Sequence, residues 1–103
     1  MNTLNLAERL EGVFRRINDL NEREAAQHGG QHKWTMLSHF NHLVEEVGEM
    51  AKCNRGRNDA TMMEEAVDAS ICALAVAIIE ERGDMTPVLD MFDTKLDKWE
   101  SSI

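Results

Sequence analysis

The chain of 103 residues carries 19 acidic against 11 basic side chains, a formal charge of −8 and a sequence pI near 4.9. Phosphate polymers are held by clustered Lys and Arg through counterion release, so this balance argues against a nucleic-acid partner. A small phosphate ester stays open, because a bound cation reverses the local sign of an acidic cleft.

Leu6, Leu10, Val13, Phe14, Ile17 and Leu20 recur at helical spacing and predict a first helix from about residue 4 to 26, ending before Gly29-Gly30. Gln31 to Trp34 read as a connector. A second helix then starts at Thr35 or a neighbour, carries Met36, Leu37, Phe40, Leu43, Val44, Val47, Met50 and Ala51 on one stripe, and stops before Asn54-Arg55-Gly56-Arg57-Asn58. Asn58 or Asp59 is the expected cap of a third helix. Its segment Ala69 to Ile79 is almost wholly apolar, which belongs in the middle of a bundle or at a subunit interface. After Gly83-Asp84, Thr86 and Pro87 read as N-cap and first helical residue of a fourth helix with Val88, Phe92, Leu96 and Trp99 on one face, Trp99 being core. No alternating β pattern occurs. The expected class is all-α, a single four-helix domain over 1–103. A domain this small buries only about two-thirds of its unfolded surface, which favours self-association.

Cys53 and Cys72 lack C-x-x-C spacing and read as reduced thiols rather than a zinc or redox motif. The N-terminus shows no basic segment followed by an apolar region, and no apolar stretch reaches the ~20 residues a bilayer needs. A cytoplasmic protein without membrane contact is the expectation.

Two acidic pairs, Glu46 with Glu49 and Glu65 with Asp68, stand at i, i+3 on the second and third helices. Residues three apart share a helix face, so each pair projects its oxygens to one side, beside apolar surface. Paired carboxylates near a core repel each other unless a cation joins them. An all-oxygen set suits Mg²⁺, with Mn²⁺ as the alternative. The competing reading is a solvated acidic face. Glu45 points further outward. His39 and His42 lie on the stripe of Glu46 and Glu49 and read as substrate contacts, as ligands of a transition metal, or as ordinary polar residues. The Glu-x-x-His repeat of a di-iron bundle is missing. Phosphate-binding cations would come from Lys52, Arg55, Arg57, Lys95 or Lys98.

Glu45-Glu46-Val47-Gly48-Glu49, followed after fifteen residues by Glu65-Ala66-Val67-Asp68, resembles the E-E-x-x-E and E-x-x-D signature of the MazG-like all-α nucleoside triphosphate pyrophosphohydrolases. The resemblance runs from Trp34 through the third helix and more loosely into the fourth. It implies an all-α NTP pyrophosphatase-type fold assembled as a homodimer or homotetramer. It also implies Mg²⁺-dependent cleavage of a (deoxy)nucleoside triphosphate between the α and β phosphates, yielding a monophosphate and pyrophosphate, in nucleotide-pool house-cleaning. Glu46, Glu49, Glu65 and Asp68 match the magnesium ligands; Glu45 would hold a second metal or orient the attacking water. Trp34 falls where related enzymes place an aromatic near the base, and a tryptophan face stacks on a base with about 1 to 3 kcal/mol. Lys95 is the closest counterpart of a fourth-helix lysine, although the Asn or Arg that often follows it is replaced by Lys98-Trp99-Glu100. The alternatives are phosphoribosyl-ATP hydrolysis and a non-catalytic, metal-binding helical interaction module.

Overall fold

The structure, a computed structural model, describes residues 5–54, 56 and 61–103. Arg55, Arg57, Asn58 and Asp59 lie outside them. The described residues form helices α1 (Leu6–Gln27), α2 (His32–Asn54), α3 (Met62–Glu80) and α4 (Met85–Ser101), with no strand among them.

Helix boundaries follow local hydrogen-bond chemistry. Asn5 caps α1 by accepting from the Glu8 backbone N–H at 2.8 Å. At the other end the Gly30 N–H reaches back to the Ala25 carbonyl at 2.8 Å. That closure needs left-handed backbone, and Gly29 and Gly30 supply φ of 70° and 78°. The turn is so tight that α2 begins at His32. Trp34 therefore belongs to the first turn of α2 rather than to a connector, with its N–H on the Gln31 carbonyl at 3.2 Å. Thr61 caps α3 through the Glu64 N–H at 3.2 Å, later in the chain than the expected Asn58 or Asp59. Asp84, not Thr86, caps α4, accepting from the Thr86 N–H at 3.0 Å. Pro87 then stands third in the helix rather than first. It remains in the first turn, where its missing N–H costs no intrahelical bond.

As its composition implies, α3 is the central element, packed against α1, α2 and α4. Ile17, Ala75 and Ile78 form the core, with Leu74 and Met85 against it. The small Ala69 and Ala75 are buried and let neighbouring helices come close.

All three amphipathic stripes are only partly covered: on α1 Phe14 and Ile17 are buried, whereas Leu6, Leu10, Val13 and Leu20 are exposed. On α2, Met36, Leu43 and Met50 turn inward and are half-buried, whereas Leu37, Phe40, Val44 and Val47 are exposed. Helices α3 and α1, which both pack on α2, leave part of so wide a stripe uncovered. On α4 only Val88 is buried; Phe92, Leu96 and Trp99 are exposed, Trp99 by 66%. Trp99 is therefore not core, because α4 packs on α3 near its start and, among the described residues, nothing buries the turns that follow. The chain exposes 8048 Å², against about 5,900 Å² expected for a compact monomer of this mass. Its radius of gyration is 15.5 Å, where about 13 Å is usual for this length.

Candidate metal centre

Helices α2 and α3 run antiparallel. Glu46 meets Glu65, while His39, two turns earlier on α2, is joined through Asn21 to Ala75, further along α3. The register brings one carboxylate oxygen each from Glu46, Glu65 and Asp68 within 4.8 Å of one another. Glu46 is half-buried, Glu65 buried and Asp68 exposed, so the cluster opens from the helix seam toward solvent.

Three carboxylates at this separation cannot all stay ionised cheaply. Glu65 carries the consequence, its pKa being pushed up to about 7. The largest cause is its hydrogen bond with Glu46, then burial, then the charges of Glu46, Asp68 and Glu49. Protonated Glu65 thus donates to a Glu46 oxygen. Such a proton relieves part of the repulsion among the three carboxylates. The donor set is wholly carboxylate oxygen, with one side open to solvent, and fits a hard divalent ion that retains water and substrate ligands.

Glu49, one turn after Glu46, accepts from Lys52 Nζ at 3.2 Å and stands outside the three-oxygen cluster while its charge still reaches Glu65. Glu45 is exposed, on the outward side, as its helical position requires. Cys72, a turn beyond Asp68, is buried. Burial first, then the Glu46 and Asp68 charges, raise its pKa and keep it a thiol.

Trp34 is 56% exposed and stacks on His28, ring centroids 4.6 Å apart and planes 6° from parallel. His39 is half-buried, its Nε2 3.1 Å from Asn21 Oδ1. His42 is exposed. Lys95 is not brought to the carboxylates. It lines an apolar groove of about 620 Å³ with Ser70, Ala73 and Ala77 of α3. Ala73 and Ala77 lie roughly 140° to 180° around the helix from Asp68 at 3.6 residues per turn. Lys98 is exposed in the last turn of α4.

Asn21 escaped the sequence reading. It is only 2% exposed, in the middle of α1. The signal was present: Phe14, Ile17, Asn21 and Ala25 share one helical stripe, and a lone amide there must find partners. His28 and Glu24 carried no comparable signal.

No protein-family model, curated protein or solved structure matches this chain. No helix among the described residues is long and apolar enough to cross a membrane.

Proposed function

We propose that the protein is a Mg²⁺-dependent nucleoside triphosphate pyrophosphohydrolase that works as a homo-oligomer. The convergence of Glu46, Glu65 and Asp68 oxygens within 4.8 Å, held by two helices, carries the reading. The ordered E-E-x-x-E and E-x-x-D motifs supply the reaction class. Glu46, Glu65 and Asp68 would hold the ion, with Glu49, one turn along α2, as a further carboxylate within reach of its charge. Magnesium, when bound, supplies charge neutralisation and polarisation of phosphate oxygens.

The protein's own side chains do the rest. The two rigid helices fix the carboxylates, so little reorganisation is needed as charge develops on the anhydride. Glu45, next to Glu46 in the chain and exposed on the outward side of α2, would orient a water and take its proton as the bond between the α and β phosphates breaks. Trp34, stacked on His28, backs the aromatic surface offered to a base.

Self-association rests on the surface. The excess over a compact monomer is on the order of 2,000 Å², the scale an obligate interface removes from solvent. A second copy would cover the outer faces of α2 and α4. The position of Lys95, on the far flank of α3 from the carboxylates, favours the non-catalytic module as the second reading.

An Mg²⁺-dependent panel of deoxy- and ribonucleoside triphosphates and phosphoribosyl-ATP, followed by ³¹P NMR, separates these. Pyrophosphate with a monophosphate supports the hydrolase and identifies its substrate. Metal binding without turnover of any of them supports the module.

A further inference from the structure

We propose that the groove between α1, α2 and α3 receives the base of the nucleotide, and that Asn21, acting through His39, together with Glu24 selects bases carrying an exocyclic amino group over thymine and uracil. The inference rests on the nucleotide reading above and assigns the specificity of that site.

The groove measures about 480 Å³, a usual size for a small-molecule site. Ile71 forms part of its wall one turn beyond Asp68, so it opens beside the carboxylates. His39 lies two turns along α2 from Glu46, about 10 Å at 1.5 Å per residue. That span is comparable to the separation of base and phosphate chain in an extended nucleotide. His28, which is stacked on Trp34, lines the same groove and adds an aromatic surface.

The hydrogen-bond polarity of the groove follows from Asn21. Its Nδ2 donates to the Ala75 carbonyl at 3.2 Å, and a carbonyl can only accept, so the amide cannot be turned over. Its Oδ1 therefore faces His39 Nε2, at 3.1 Å, and Nε2 must carry the hydrogen. Burial lowers the His39 pKa, with Glu24 opposing and His42 assisting. The ring is thus neutral at physiological pH, and Nδ1 is left as a hydrogen-bond acceptor. Glu24, which also lines the groove, adds a carboxylate, which accepts only. Arg23 and Gln27, both exposed, also line the groove and can donate, Arg23 being engaged with Asp19 at 3.4 Å; at the inner, His39 side the two acceptors favour the amino groups of cytosine, adenine or guanine. They repel the carbonyl that thymine and uracil present at the corresponding edge.

The test is calorimetric binding, with Mg²⁺, of non-hydrolysable α,β-methylene analogues of dCTP, dATP, dGTP, dTTP and dUTP. The parent protein should bind at least one amino-bearing analogue 10-fold or more tighter than the thymine and uracil analogues. His39→Leu and Glu24→Gln should each shrink that ratio several-fold. His39→Gln, whose amide can donate to Asn21 and whose oxygen can accept, should keep most of it. Equal affinity across the bases, or a ratio untouched by both His39→Leu and Glu24→Gln, overturns the base assignment while leaving the nucleotide reading intact. No binding of any analogue overturns both. Glu24 is a partly exposed surface residue of α1, so Glu24→Gln remains informative if a His39 variant folds poorly.

Discussion

Along the seam of α2 and α3, Glu46, Glu65 and Asp68 crowd acidic oxygens together, and two turns away Asn21 and His39 bury polar atoms in a satisfied network. On the outer turns of α4 the opposite holds: Met91, Phe92, Leu96 and Trp99 leave apolar surface in water. Each region breaks a rule of globular construction, and the proposed function gives each violation its own complement. Crowded carboxylates call for a cation, whereas an uncovered apolar helix face calls for another protein surface. Substitutions should therefore separate the regions, seam variants changing chemistry with little change in assembly, and α4 variants the reverse.

The largest effect is expected at the seam. Glu46→Ala or Asp68→Ala should lower Mg²⁺-dependent hydrolysis by about 100-fold or more, the scale of losing one preorganised electrostatic contact. Helical circular dichroism and molar mass should stay those of the parent. Steady-state kinetics with light scattering checks this, and undiminished turnover in either variant would remove the site assignment. On α4, Phe92→Asp should weaken self-association by about 100-fold, as expected for an anchor aromatic at the centre of an interface. Sedimentation over a concentration series reads the shift. A parent that stays monomeric throughout would refute the assembly reading.

The seam also makes a pH prediction that α4 does not. Glu65 has a folded pKa of about 7 against an ordinary value of 4.5, so the folded state holds this proton more tightly than the unfolded chain. Its contribution is fully present below about pH 4.5 and is lost as pH rises through about 7. Without divalent cations, melting temperature should fall across this window, and Glu65→Gln should flatten the fall. Because a cation competes with the same proton, Mg²⁺ affinity should rise over the same interval and level off above pH 7. Calorimetric titration at three pH values tests it, and affinity that is flat with pH would break the link between proton and metal.

Periodicity located the four helices and the central place of α3, because a long apolar run has few places to go in a small bundle. It also put Glu46, Glu49, Glu65 and Asp68 on facing helices. Which oxygens meet was not legible, since that depends on the register between α2 and α3. Caps were misread where two candidates competed. Thr86 before Pro87 looked like a start, but Asp84 has the carboxylate that reaches the Thr86 N–H. Trp99 and the outer α2 stripe were misread for a different reason. Helical spacing marks a face as apolar without saying whether its own chain or another covers it.

Thr35 tests the smallest of these differences, that between polar atoms in use and polar atoms merely buried. It is fully buried in the first turns of α2, and its Oγ1 has no hydrogen-bond partner, in contrast to Asn21, whose two amide atoms are both engaged. Valine has the same branched shape without the hydroxyl, so Thr35→Val removes a desolvation cost and opens no cavity. A stabilisation of about 1 kcal/mol is expected, or roughly 4 to 8 °C in melting temperature for a domain of this size. Asn21→Leu should go the other way, because it takes the side-chain donor from the Ala75 carbonyl and strands the His39 Nε2–H. Thermal melts at one fixed protein concentration compare the two. If Thr35→Val destabilises instead, the hydroxyl has a partner, and Thr35 belongs with Asn21 among the polar groups the fold uses.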